Sequence, residues 1–438
     1  MKYKKVICGL MMAAITAGSF AQSGTNSPYS QYGFGVLNDQ ATGFNKGTNG
    51  LGQAVRNGSR VNPLNPASFS AIDSLSFIFD MGMSGQITNF SENGVKKNAK
   101  NANFEYVVAG FRAFRHFGVS FGLLPFSNVG YSYSSTGSLN QSRDVNYVNT
   151  YKGSGGLRQV YIGAGWEPFR NFSVGANFSY LWGELNRTVV NNYANGGGTT
   201  LSNISTLTKG YTAEVKNYKL DLGVQYMQPL SKKDRVALGA TFSPGHNLKS
   251  TPSCVVMSTN ASTGVSNSTT YSVSNGLELP NMFGVGVAWY HSNQFMLGAD
   301  YSLQQWGKTS FPVYDVKNDV PSYELLENYF KNRHHMVFGG EYCRNPMSRS
   351  FLSRIRYRFG ASYTSSYYKV NNYNGPKETS VSAGFGIPII NSFNNRSMLN
   401  VSGQWVHLSG DGLLTENTFR INIGVTFNER WFMKWKVE

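Results

Sequence analysis

The chain is short of cysteine, of acidic residues and of long apolar runs. Of its three cysteines in 438 residues, Cys8 lies in the leader, so only Cys254 and Cys343 remain. Both read as free thiols, which leaves no disulfide framework and no cysteine metal cluster. Downstream of the leader no stretch reaches the roughly 18 apolar residues of a membrane helix. Helical spanning is therefore excluded. Asp and Glu number 23 against 39 Lys and Arg, a net charge of +16. With no basic run and no nucleic-acid motif beside it, that excess reads as a surface or lumen meeting anionic lipopolysaccharide or solutes, with no nucleic acid as partner. The six histidines show no ligand spacing beyond His334-His335. Strand neighbours point to opposite faces, so that pair cannot share a metal. Neither metal nor cofactor is expected.

What the chain does have is alternation. Phe172, Val174, Ala176, Phe178, Tyr180 and Trp182 alternate with Ser173, Gly175, Asn177, Ser179, Leu181 and Gly183. Tyr218, Leu220, Leu222, Val224 and Tyr226 alternate with Lys219, Asp221, Gly223 and Gln225. The same pattern runs through Phe295 to Gln304, Ile355 to Thr364 and Phe419 to Phe427. Strands facing lipid on one side and water on the other have this period of two. Trp166, Trp182, Tyr226 and Trp289 at strand ends suit interfacial girdles. A soluble sandwich alternates in the same way, so the compartment has to decide.

Lys2, Lys4 and Lys5, the apolar stretch Val6 to Phe20, and the small residues Ser19 and Ala21 read as a secretory signal over 1–21, cleaved before Gln22. Its loss removes three lysines and takes +16 to +13. A secreted chain that enters a bilayer without apolar helices crosses it as a closed barrel. The expected fold is all-β, a transmembrane antiparallel barrel in the outer membrane of a Gram-negative bacterium, inserted by that cell's barrel-assembly machinery.

Fourteen strands are expected, at 75–90, 103–114, 117–134, 157–166, 172–187, 209–227, 234–249, 279–290, 294–304, 334–343, 353–368, 379–389, 398–408 and 418–427. The connections between them are long and short in turn, as in barrels with long external loops and short periplasmic turns. The barrel then covers 71–428, and 429–438 is a tail or the end of the last strand, because Trp431, Met433, Trp435 and Val437 still alternate. Residues 22–70, rich in Gly, Asn, Ser and Gln, read as an amino-terminal plug within the lumen, with a disordered periplasmic leader as the alternative. Tyr29, Tyr32, Phe34, Val36, Leu37 and Leu51 supply apolar groups that a solvated linker does not need.

Gly50-Leu51-Gly52-Gln53-Ala54, followed by Asn65-Pro66-Ala67-Ser68 just before the first strand, resembles the Gly-rich segment and Asn-Pro-Ala motif of the FadL-type (OMPP1/FadL/TodX) outer-membrane transporters. That resemblance implies a fourteen-stranded barrel with a plug, Asn65, Pro66 and Ala67 belonging to the plug motif. It further implies passive uptake of a hydrophobic small molecule such as a long-chain fatty acid, released sideways through a kinked third strand. Some FadL-type barrels instead look like escorts in protein secretion or envelope assembly, which is the second reading; an open polar porin is the third. Independently of the family, Leu124-Pro125-Phe126-Ser127-Asn128 interrupts the third strand, and proline inside a paired strand marks an edge, bulge or kink. Leu124, Pro125, Phe126 and Asn128 are thus the candidates for a lateral opening, against a bulge without function. Where the family captures its ligand with hydrophobic loop helices, Thr251 to Asn275 is mostly Ser, Thr, Asn and Val, and only Pro321 to Phe330 reads as a short loop helix.

Lys219, Asp221, Asp300, Glu341, Arg356, Arg358 and Arg420 all fall on the lumen parity. They are expected to anchor the plug and brace the wall, with substrate binding as the alternative. Gly118-Val119-Ser120-Phe121-Gly122 matches a G-x-S-x-G elbow. That elbow needs a strand-to-helix turn, whereas here it lies within a strand, so no enzyme is expected.

Overall fold

Alternation becomes a wall in the computed structural model, which describes residues 24–138, 145–195, 205–260, 262–371, 373–389 and 397–429. The barrel strands are β1 (Phe77–Glu92), β2 (Val95–Phe114), β3 (broken into Phe117–Pro125 and Ser127–Ser138), β4 (Val145–Phe169), β5 (Phe172–Asn195), β6 (Ser205–Pro229) and β7 (Asp234–Ser243). They continue as β8 (Met282–His291), β9 (Phe295–Gln304), β10 (Arg333–Tyr342), β11 (Arg356–Thr364), β12 (Lys377–Ile389), β13 (Ser397–Ser409) and β14 (Thr415–Glu429). Each pairs antiparallel with its neighbours, and β1 pairs with β14 from Phe77↔Glu429 to Ser91↔Thr415, closing the barrel. All fourteen expected strands are present.

The register follows the pattern of the sequence. Phe178 is 55% exposed and Leu222 41%, whereas Lys219 between the same strands is 6% exposed. Strands β4, β5 and β6, of 25, 24 and 25 residues, run well past the 9–11 that cross a bilayer. The outer end of β6 is extended by the hairpin Ser253–Asn260/Ser266–Ser272. The Pro321 to Phe330 segment corrects the expected loop helix. Phe311–Lys317 and Val320–Leu326 form a hairpin, and Asn318 and Asp319 at its tip both have positive φ, 51° and 64°. A two-residue turn with both centres left-handed matches the twist of the flanking strands. Downstream, Tyr329 and Phe330 pack against Phe311.

Residues 24–72 lie inside the barrel as short 3-10 turns, one helix α1 (Gly43–Gly47) and extended chain. Val61, Phe69 and Ile72 form one buried cluster with the wall residues Ile78, Tyr106, Val108, Leu124 and Tyr161. The expected signal peptide and the stretch from Trp431 onward lie outside the described residues. No helix among the described residues is long and apolar enough to cross a membrane.

Candidate functional site

Pro125 has no N–H to give to a ladder, and the third strand breaks immediately after it. Phe117–Pro125 pairs with both β2 and β4. The outer half, Ser127–Ser138, pairs with β4 but not with β2, and Val95–Tyr106 of β2 pairs with β1 alone. Outward from Val107 the wall therefore has a gap between β2 and β3. The neighbouring strands bend with it at glycines: Gly155 and Gly156 of β4 have φ of 110° and 139°, and Gly183 of β5 has 147°. A Cβ on Gly156 would stand 2.4 Å from the Ser127 carbonyl oxygen, so only glycine fits there. The sequence reading missed this glycine track, although Gly153-Ser154-Gly155-Gly156 inside a strand was a signal for it.

The amino-terminal segment fills the gap from within. Val36 and Leu37 pair antiparallel with Asn128 and Ser127. The Asn38 N–H donates to the Phe126 carbonyl at 3.0 Å, and Gln40 Nε2 donates to that of Pro125 at 3.4 Å. Ser30 Oγ accepts from the Gly130 N–H at 3.1 Å and donates to the Ser27 carbonyl at 2.7 Å, so it occupies a donor of this unpaired edge. On the opposite margin Asn26 Nδ2 donates to the Lys100 carbonyl at 3.3 Å, and Asn103 Nδ2 to that of Gly24 at 2.6 Å. The Tyr367 hydroxyl accepts from the Phe34 N–H at 3.0 Å and donates to the Gly35 carbonyl at 2.6 Å. Leu124 and Phe126 are buried, at 2% and 5% exposure, and Asn128 donates to the Asn38 side chain at 3.2 Å.

Deeper in the lumen the same chain is held to the wall by charge. Asp300 Oδ2 accepts from the backbone N–H of Gly52 and Gln53 at 2.7 and 2.8 Å. Glu341 accepts from Arg60 of the lumenal segment at 2.9 Å and from Arg356 and Arg358 of the wall at 2.8 and 2.7 Å. Lys46 of α1 meets Glu105 at 2.7 Å. Lys219 pairs with Asp221, which also accepts from Ser243, and Arg420 Nε donates to Gln86 at 2.9 Å. The structure therefore brings Asp300, Glu341, Arg356 and Arg358 together with the lumenal segment or its partners, and leaves Lys219, Asp221 and Arg420 bonded within the wall. Burial lowers the Arg60 guanidinium to about 10, against the pull of Glu341. Burial raises Asp39, but His335, Arg333, Lys46 and Arg420 outweigh it and hold this carboxyl below its ordinary range.

Asn65 caps, and Pro66 and Ala67 open, the 3-10 turn Pro66–Ala71 that seats against the wall. Asn65 Oδ1 accepts from the Ala67 N–H at 3.1 Å, and its Nδ2 donates to the carbonyls of Gln53 at 2.8 Å and Val224 at 3.2 Å. Lumen-facing glycines make room: a Cβ on Gly223 would be 2.2 Å from Asn65 Oδ1. Ser120 of the G-x-S-x-G match is fully buried, its Oγ 2.9 Å from the Ala109 carbonyl oxygen and 2.8 Å from the Tyr161 hydroxyl.

Three cavities flank the segment. A lumen cavity of ≈ 150 Å³ is lined by Asn38, Gln40, Leu124, Asn177, Ser179 and Asp300 among others. Asn177, Ser179 and Asp300 each carry a buried polar atom without a protein partner, so this space suits water rather than lipid. A second, of ≈ 120 Å³, lies against Val36, Leu37, Tyr367 and Arg420. A third, of ≈ 200 Å³ at the outer end, is lined by Tyr131, Tyr151, Tyr211, Phe311, Tyr323 and Tyr329 around Arg187. The sequence reading did not foresee this aromatic cavity, because its rings come from three strands, a hairpin and the stretch after it, all distant in the chain.

A family model, BamG, matches residues 2–438. Among solved structures the chain is similar to the CymD monoaromatic hydrocarbon channel, with a TM-score of 0.59, 15% identity, and 90% of this chain and 98% of that one covered. It is similar also to the Pseudomonas putida toluene transporter TodX (0.57, 14%, 90% and 99%) and to a Pseudomonas aeruginosa FadL homologue (0.57, 11%, 90% and 98%). At such identities the likeness is one of fold. No curated protein matches the chain in sequence.

Proposed function

The chain belongs to the BamG family, and from the gapped wall together with the fold it shares with hydrocarbon channels we propose an outer-membrane barrel for passive uptake of hydrophobic molecules, released sideways between β2 and β3. The observation that carries this reading is the gap itself. It is closed by the amino-terminal segment instead of a wall strand, and Leu124 and Phe126 give it apolar margins. The aromatic outer cavity is suited to first capture, since tyrosine and phenylalanine faces hold apolar or flat molecules. Residues 24–72 act as the plug, and a lipophile passes when 24–40 leaves the edge of β3. The fold shared with hydrocarbon and toluene channels supports the assignment without naming the ligand.

A second reading, a non-transporting barrel that serves as escort or structural component in protein secretion or envelope assembly, is favoured by the closed state: the lumen cavities are small and polar, and Glu341 bolts the plug to the wall. A lock separates the two. Leu37 and Ser127 are antiparallel partners, within reach of a disulfide, and both native cysteines are buried. In liposomes, Leu37→Cys/Ser127→Cys is expected to take up a labelled fatty acid when reduced and several-fold less when oxidised. Absence of uptake by wild type and variant alike would remove the transporter reading, and copurified protein partners would then support the second. A large ionic conductance of the wild type would point to a porin instead.

A further inference from the structure

The end of the barrel that carries the short turns combines exposed apolar tips with unpaired positive charge. Phe114 is followed by Arg115, Phe169 by Arg170, and Leu230 by Lys232 and Lys233, all exposed. The turn between β10 and β11 is the most pronounced case: Met347, Phe351 and Leu352 are 83%, 50% and 66% exposed, and Arg344 and Arg349 stand exposed among them. Among the described residues, two acids of this rim are already engaged. Glu167 is taken by Arg56 at 2.7 Å, and Asp234 by His291 at 2.8 Å.

The β10–β11 turn leans outward rather than over the mouth of the lumen. Tyr357 shares the outward parity of Phe359, which is 47% exposed, and its hydroxyl donates to the Leu352 carbonyl at 3.3 Å. The Asn345 N–H donates to the Ser353 carbonyl at 2.9 Å, and Gln294 Nε2 to that of Arg344 at 2.8 Å, so the turn is fixed in that position. The short helical turn Phe351–Arg354 thus lies against the membrane-facing rim.

We propose that this collar, with the β10–β11 turn at its centre, binds anionic phospholipid of the periplasmic leaflet, Phe351 and Leu352 entering the acyl boundary while Arg344 and Arg349 meet headgroup phosphates. Apolar side chains beside arginines at a bilayer surface match both halves of such a lipid. The proposal rests on the membrane placement above, not on transport. In native mass spectrometry of the detergent-released full chain with equal phosphatidylglycerol and phosphatidylcholine, the wild type retains phosphatidylglycerol preferentially. Each arginine removed, in Arg344→Gln and Arg349→Gln, is expected to lower that retention roughly fivefold. Phe351→Ser/Leu352→Ser lowers retention of both lipids, and heat-modifiable mobility on gels verifies that every variant is folded. Equal retention of the two lipids by wild type, or retention untouched by loss of the arginines, overturns the proposal and leaves the collar to an acidic protein. Failure of the membrane reading would look different: no heat-modifiable barrel in any lipid.

Discussion

At the scale of single residues, what matters is which side of the wall a charge faces. Leu222 and Asp221 are neighbours on β6, the first 41% exposed on the outer face and the second bonded to Lys219 and Ser243 inside. An arginine facing hydrocarbon costs roughly 2–4 kcal/mol near the midplane, while an asparagine at 221 keeps a side-chain oxygen that can accept from Lys219 and Ser243. Leu222→Arg is therefore expected to reduce the heat-modifiable folded fraction far more than Asp221→Asn; equal folding of the two would contradict the register. Glu341 shows the opposite economy. Three arginines converge on one buried carboxylate, so Glu341 persists inside because both of its oxygens accept charged hydrogen bonds, and Arg358 bonds further to the Asn400 side chain. Such inward charges were legible from parity alone, but their partners were not, since Arg60 lies 281 residues from Glu341 along the chain.

At the scale of elements, the third strand bends because three strands yield together. Pro125 breaks one ladder, Gly155 and Gly156 relax the next, and Gly183 the one beyond. Gly156→Val sets a side chain against the Ser127 carbonyl and a valine at positive φ. It is expected to disturb pairing of Ser127–Ser138 and lower the temperature of gel-mobility conversion, whereas Gly94→Val, at a turn with open space around it, tests left-handed strain without the clash. Equal shifts in the two variants would make strain alone the cause. The strands themselves were legible because a two-sided environment writes period two into each of them, and Pro125 marked the break. The hairpin at 311–326 was not read, since Tyr323, Leu325, Leu326, Tyr329 and Phe330 mimic a helical face; the Asn318-Asp319 turn was the overlooked signal. Nor does local pattern reveal that Ser30 covers Gly130, because an edge is recognised only once its missing neighbour is known.

At the scale of the molecule, closing the barrel and closing its lumen are separate events. The wall closes through β1 and β14, a ladder in which residues 24–40 have no part. The seat of the plug likewise depends on residues beyond 40: Lys46, Gly52, Gln53, Arg60 and Asn65 hold it to Glu105, Asp300, Glu341 and the β6 wall. Removing 24–40 should then leave a folded barrel with its deeper plug in place and the gap uncovered. The unpaired edge of β3 would face water, a tolerable exchange because water can satisfy what Ser30 and Asn38 satisfied. The variant is expected to keep heat-modifiable mobility and to conduct ions in planar bilayers well above the wild type, through the polar lumen lined by Asn177, Ser179 and Asp300. Conductance equal to that of the wild type in a folded variant would show that the deeper plug alone seals the lumen. The segment would then be a patch on the wall and not a gate.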